Sequence, residues 1–246
     1  MAAAVAGAVN AVAGGGSLIT FPLLVFLGRA PIVANATNTV SLSPGSVAAL
    51  WGFRHELHGL GRWAVWGSIP SILGGLAGSW LLLRTPAPVF DWLVPWLIAF
   101  ATALFALSEP ITRAARRHAG SDDGVPPHPR ARLLLYQFAV AVYGGYFGAG
   151  MGIMILAGMG LMGFSAIHRM IALRNVWAIW VNAVAAVYFI LHGTVRWPDA
   201  LVLTAGQVVG SWLSAHGARR LRPSVVRGIV TAVGVIMTAS FFLGRG

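Results

Sequence analysis

Long apolar runs separated by short clusters of Arg, Pro and polar residues make up this chain. Cutting the sequence at those clusters leaves eight hydrophobic segments, near residues 2–27, 33–53, 63–83, 89–108, 133–163, 170–191, 199–216 and 224–243. Most are close to the roughly 20 residues that a helix needs to span a bilayer. The pattern predicts an all-α, polytopic membrane protein.

Two segments do not fit a single straight span. Residues 133–163 would extend about 46 Å as one helix, whereas the hydrocarbon core is about 30 Å thick. This segment and the first one each contain a glycine cluster, at 148–152 and 14–16, where helix continuation is least favoured. We expect both segments to break there, and a broken segment can enter the membrane and return without crossing it.

A polar stretch divides the chain into two halves of four segments. We expect an N-terminal membrane repeat at 1–108, a basic cytoplasmic linker at 109–132 and a C-terminal membrane repeat at 133–246. The halves resemble each other: an Arg-Trp pair precedes a Gly-Ser-Trp-Leu sequence in both, and a glycine is followed by an asparagine after 22 or 23 positions, as in Gly16 to Asn38 and Gly152 to Asn175. Such similarity indicates an internal duplication.

The positions of the basic residues favour inverted repeats. Eight full crossings would put the linker and the loop with Arg219, Arg220 and Arg222 on opposite sides, although the positive-inside rule expects both in the cytoplasm. If one glycine-broken segment of a half re-enters instead of crossing, both basic stretches face the cytoplasm and the repeats are inverted.

The amino-acid composition also indicates a membrane protein. Apolar residues make up 57% of the 246 positions and charged residues 9%, against about 25% charged in soluble domains, which excludes a soluble globule. The net charge of +11 comes from Arg residues between the apolar runs, so nucleic acid is disfavoured as a partner and the lipid bilayer is expected. The chain has no cysteine, which excludes disulfides and thiolate metal sites. The N-terminus lacks a basic region before its apolar stretch and resembles a mature membrane segment.

The glycine breaks point to a binding site. Irregular backbone at membrane depth is tolerated where protein or a water-filled cavity satisfies its polar groups. Helices beginning after Gly16 and Gly152 would present unpaired N–H groups and a positive dipole end near the midplane, which suits an anion. The alternative is that these glycines only permit close helix packing, as the spacing of Gly144 and Gly148 does.

Few polar side chains lie within the spans. Arg174 stands in an apolar stretch, where a cation costs several kcal/mol unless it is paired or hydrated, so it either meets a bound anion or extends to the interface beside Arg169. All six carboxylates lie at segment ends or in loops, which disfavours a cation path. The predicted binding residues are Gly15, Gly16, Ser17, Thr20, Asn35, Thr37, Asn38, Gly150, Gly152, Ile153, Arg174 and Asn175.

No catalytic or metal site is predicted, and no cofactor. The sequence at 55–58, His-Glu-Leu-His, lacks the H-E-x-x-H frame of a zinc protease, and Ser43-Pro44-Gly45-Ser46 lacks the G-x-S-x-G frame of a hydrolase and any neighbouring base.

The sequence Gly-Gly-Gly-Ser-Leu-Ile-Thr-Phe-Pro at 14–22, the sequence Ala-Asn-Ala-Thr-Asn at 34–38 and a degenerate second glycine copy at 144–152 resemble the TauE/SafE sulfite exporter family over almost the whole chain. The resemblance implies a multi-pass bacterial inner-membrane transporter that exports a small sulfur-containing anion such as sulfite, sulfoacetate or a related sulfonate. Met151 replaces the middle glycine of the second copy, and Gly158 stands where the first copy has Pro22, so the second half is expected to bend differently.

We expect transport by alternating access between the halves. An anion channel is the main alternative, and an intramembrane scaffold or enzyme is a weaker one. The sequence leaves open the particular anion, the coupling ion or uniport, the choice between parallel and inverted repeats, the oligomeric state and the conformational state.

Overall fold

The computed structural model describes residues 2–13, 15–52, 54–110, 131–164, 166–216 and 223–243. Within these ranges the regular structure is helical, and no strand occurs in them. The first half contains α1 (Ala2–Ala13), α2 (Ser17–Phe26), α3 (Pro31–Gly52), a 3-10 helix (Arg54–Leu57), α4 (Gly61–Arg84) and α5 (Ala87–Ala106). The second half contains α6 (Ala131–Tyr146), α7 (Met151–Leu161), α8 (Ile167–Leu191), α9 (Trp197–His216) and α10 (Pro223–Leu243).

Three described helices are long and apolar enough to cross a bilayer unaided. They are α4, α5 and α8, with 24, 20 and 25 residues and mean hydropathies of 1.3, 1.8 and 1.5. The predicted all-α fold is confirmed. Most of the linker expected at 109–132, Gly14 and the basic loop at 219–222 lie outside the described residues.

The two segments that contain glycine clusters both break near those glycines. α1 ends at Ala13 and α2 begins at Ser17, while α6 ends at Tyr146 and α7 begins at Met151. α2 has 10 residues and α7 has 11, so each helix is about half as long as the hydrocarbon core is thick. Gly148 and Gly150 have φ values of +79° and +82°, a region that glycine adopts without strain, and the chain reverses there.

α7 folds back along α6. The Tyr136 hydroxyl donates to the Met154 carbonyl at 2.7 Å, and a Cβ added at Gly158 would meet the Tyr136 ring. At the other end of the pair, Gly144 faces the side chain of Met151. Residues near the start of α6 contact residues near the end of α7, and residues near the end of α6 contact the start of α7. The two helices therefore form an antiparallel hairpin that ends on the side where α6 begins.

Glycines let helices from different halves approach closely. A Cβ added at Gly78 of α4 would clash with the Val142 carbonyl of α6, and one added at Gly210 of α9 would clash with the Ala4 carbonyl of α1. Small residues at such crossings allow backbones to pack tightly within a membrane. α3 and α8 also contact each other, and residues that follow both helix breaks, Ser17 and Gly152, come together beside them.

Candidate functional site

A small cavity lies beside both helix breaks, between α2, α3, α7 and α8. Its volume is about 50 Å³, enough for a few waters or a small ion, since one water needs roughly 10–15 Å³. The lining residues are Ser17, Thr39, Leu42, Ser46, Phe147, Gly148, Met151, Gly152, Arg174, Asn175, Ala178 and Asn182. The two breaks are therefore not fully packed against neighbouring helices.

α3 and α8 contribute matching faces to the cavity. The lining residues of α3 are spaced by three and four positions, and those of α8 include three with the same spacing. Each set of lining residues therefore lies on one side of its helix. The two sets stand 136 positions apart, as do Gly16 and Gly152: Thr39, Leu42 and Ser46 correspond to Asn175, Ala178 and Asn182. The residue of α3 in the place of Asn175 is therefore Thr39, not Asn38.

Arg174 supplies the positive charge of the cavity. Its side chain is buried, with 6% of the residue surface exposed, so it does not extend to the interface. The Nε and Nη2 groups donate to Oδ1 of Asn175 at 3.2 and 2.7 Å. No carboxylate is present among the described residues that line the cavity, so this charge has no anionic partner there.

Gly152 provides the space that the Arg174 side chain occupies. A Cβ at Gly152 would lie 3.4 Å from Cδ and 3.6 Å from Nη1 of Arg174. The start of α7, whose dipole end is positive, thus lies directly against the guanidinium group. Two sources of positive potential therefore converge on one small space.

Asn175 has an unused donor. Its side chain is 6% exposed, Oδ1 is taken by Arg174, and Nδ2 has no hydrogen-bond partner among the described residues. An unpaired buried donor costs about 1–3 kcal/mol, which a ligand or water in the cavity would relieve. The arrangement therefore offers donors and positive charge to a negatively charged solute.

Four of the predicted binding residues line this cavity: Ser17, Gly152, Arg174 and Asn175. Three others, Gly16, Thr20 and Asn38, lie outside its lining. The Thr20 hydroxyl is within hydrogen-bond distance of Oδ1 of Asn38 on α3 and of the Gly16 carbonyl, and its single proton is donated to one of them at a time.

The remaining predicted residues stand outside the cavity. Asn35 donates to the Tyr146 carbonyl at 2.8 Å, and Thr37 accepts from the Arg196 N–H at 3.0 Å, so both join the halves. Gly15 packs against Phe105 and Gly150 forms the turn before α7. Ile153 packs in an apolar cluster, and its N–H, expected to be free, donates to the Gly150 carbonyl at 3.0 Å.

Sequence reasoning missed several polar lining residues. Thr39 and Ser46 belong to the polar stretch of α3, and Asn182 lies seven residues after Asn175. Helical periodicity carried a signal for all three, because positions three, four and seven apart share a face.

A family model described as sulfite exporter TauE/SafE matches residues 1–241. The chain belongs to the TauE/SafE family. Among its relatives is a probable membrane transporter protein of Haemophilus influenzae, 29% identical over 98% of this chain and 92% of the relative. Others are the probable membrane transporter protein YfcA of Escherichia coli K12, 26% identical over 96% and 86%, and a probable membrane transporter protein ORF9 of Sinorhizobium, 25% identical over 92% and 86%. No solved structure matches the chain significantly.

The TauE/SafE protein is therefore a membrane transporter, as its relatives are named, and not an enzyme. It is a multi-pass protein of the bacterial inner membrane. The predicted family, transporter class and location are confirmed.

Proposed function

We propose that this TauE/SafE protein exports a small sulfur-containing anion, such as sulfite, sulfoacetate or a related sulfonate, through the cavity beside Arg174. The observation that carries the proposal is the buried guanidinium with no carboxylate among the described cavity residues. A buried charge is expensive unless it is paired, so the site favours an anion over a neutral or cationic solute. The unpaired Nδ2 of Asn175 supplies a second donor.

The packing of the helices supports two related halves. Gly74 and Gly78 of α4 meet Ala141 and Val142 of α6. The same contacts recur with the halves exchanged, since Gly206 and Gly210 of α9, in the second half, lie against Ala3 and Ala4 of α1, in the first. Each set of contacts is thus the counterpart of the other, as expected when two duplicated halves are related by a two-fold axis.

The direction of the helices supports an inverted arrangement. Ser71 of α4 contacts Gln137 of α6, and Gly78, further along α4, contacts Val142, further along α6. α4 and α6 therefore run parallel. α6 therefore starts on the side where α4 starts. The α6–α7 hairpin returns to this side, and α8 begins there, whereas α3 begins on the opposite side. The halves then enter the membrane from opposite faces, which is the geometry of alternating-access carriers.

We assign the side where α4 and α6 begin to the cytoplasm. The chain around Arg54 and Arg62, the linker at 109–132 and the loop at 217–222 connect helix ends on this side, and all are basic. The opposite side receives the short connections around Arg29, Arg84 and Arg196. The positive-inside rule favours this orientation.

The purified protein in liposomes tests the proposal. Vesicles loaded with radiolabelled sulfite should release it in a protein-dependent, saturable way and show counterflow, which a channel does not. Arg174→Gln and Asn175→Ala should each slow release at least tenfold, since each removes a charged or buried donor. Arg169→Gln, a change on the same helix but outside the cavity, is the matched control. Unchanged release in both cavity variants would contradict the site, and no release by the wild type would contradict the function.

A further inference from the structure

We infer that the cavity selects a singly charged anion that carries one hydroxyl proton, such as hydrogen sulfite or a hydroxyalkylsulfonate. The inference rests on the proposed anion transport. It deepens that proposal by fixing the charge and the hydrogen-bonding pattern of the solute, and within the proposed class it disfavours sulfoacetate, which carries two negative charges.

The charge of the lining sets the charge of the ligand. Among the described residues that line the cavity, Arg174 contributes one positive charge, and Asp, Glu and His contribute none. A monoanion beside Arg174 gives a neutral site. A dianion would leave one net negative charge at membrane depth, where an unpaired charge costs several kcal/mol.

The α8 side of the cavity supplies donors. Arg174 has further N–H groups beyond those given to Asn175, because a guanidinium carries five. The Nδ2 group of Asn175 is unpaired. Negatively charged oxygens of the ligand therefore face α8.

The α3 side of the cavity supplies acceptors instead. The Thr39 hydroxyl donates to the Asn35 carbonyl at 3.0 Å, and the Ser46 hydroxyl donates to the Leu42 carbonyl at 3.1 Å. A hydroxyl has one proton to donate, and in both residues the preceding helical turn takes it. The two oxygens retain lone pairs that can only accept, so this side suits a ligand proton.

The acceptors of α3 and the donors of α8 occupy equivalent positions of the two halves. Thr39 and Ser46 stand where α8 has Asn175 and Asn182, 136 residues later. One face is thus hydroxylic and the other carries amides and the guanidinium. A fully deprotonated anion would set an oxygen against the Thr39 and Ser46 oxygens unless both hydroxyls gave up their bonds to the helix, whereas an anion with an O–H group satisfies both sides without that loss.

Two sulfonates of similar shape test this selectivity. 2-Hydroxyethanesulfonate and propane-1-sulfonate have the same charge and number of heavy atoms, but only the first has a hydroxyl group. In liposomes, each is used at one pH as a competitor of radiolabelled sulfite counterflow, with sulfate as the dianion. We expect 2-hydroxyethanesulfonate to compete about tenfold better than propane-1-sulfonate, which corresponds to one hydrogen bond, and sulfate to compete worst.

The double variant Thr39→Val, Ser46→Ala should remove this preference, so that the ratio between the inhibitory strengths of the two sulfonates falls to about one. Ser43→Ala, which removes a hydroxyl from the same helix but outside the cavity lining, should leave it unchanged. Equal competition by the two sulfonates in the wild type, stronger competition by sulfate, or an unchanged ratio in a folded double variant would overturn the inference while anion transport stands. Sulfite counterflow that none of these anions affects would overturn the proposed anion site as well.

Discussion

Arg29 and Asp199 form an ion pair that joins the two halves of the chain. Nε of Arg29 lies 2.7 Å from Oδ2 of Asp199, and Nη2 lies 3.4 Å from Oδ1. Arg196 approaches the same carboxylate at 3.2 Å, and its backbone N–H donates to Thr37 of α3. One carboxylate therefore holds the α2–α3 connection of the first half against the start of α9 in the second.

We predict that Asp199→Asn weakens this contact between the halves, because it leaves two arginines side by side without their carboxylate. The pair is partly exposed, so we expect the midpoint of thermal unfolding to fall only about 2–4 °C. A cysteine placed at Thr39 should react faster with a membrane-impermeant maleimide in this background. Glu56→Gln, which neutralises an exposed carboxylate in the 3-10 helix, is the control. An unchanged labelling rate would show that the ion pair does not influence access to Thr39 in the cavity.

Replacing Arg174 should separate stability from transport. Arg174→Gln removes a buried charge that has no carboxylate among the described cavity residues, and the empty protein should unfold at the same temperature or a few degrees higher. Sulfite release should fall at least tenfold in the same variant. Thermal unfolding in detergent and release from liposomes provide the two measurements. A strong loss of thermal stability would mean that the guanidinium holds the fold together instead of binding a solute.

Glycine substitutions should distinguish the cavity from the helix crossings. Gly152→Ala meets Arg174 only at ordinary contact distances, so we expect normal folding and slower transport. Gly78→Ala would press a methyl group into the Val142 carbonyl, and we expect it to cost about 2 kcal/mol or more. Expression level and unfolding temperature of both variants test the contrast. If Gly152→Ala unfolds the protein and Gly78→Ala does not, the packing described here is contradicted.

Two single-cysteine variants should report the orientation of the halves. The natural chain has no cysteine, so an introduced thiol gives an unambiguous signal. His55 follows α3 and His192 follows α8, and both are exposed. We expect impermeant maleimide to label His192→Cys from outside intact cells and His55→Cys only after the membrane is opened. Labelling of both positions from the same side would exclude the inverted arrangement.

The sequence by itself determined the class of the protein and the places where its helices break. Apolar runs of spanning length and glycines inside two of them are local properties, and the cost of exposing backbone polar groups in lipid leaves helices as the outcome for such runs. Arg174 was recognisable for the same reason, because a lone cation in an apolar stretch is costly wherever that stretch packs.

Tertiary structure decided which side chains meet at the breaks. Successive residues of a helix point about 100° apart, so whether Asn38 or its neighbour Thr39 faces the cavity depends on how α3 is rotated. That rotation is set by contacts with α8 and α9 from the other half, such as the hydrogen bond from Gln207 to Ser41. Asn38 instead points to Thr20, and Thr39 takes the place opposite Asn175, because packing across a large sequence separation fixes the rotation of each helix.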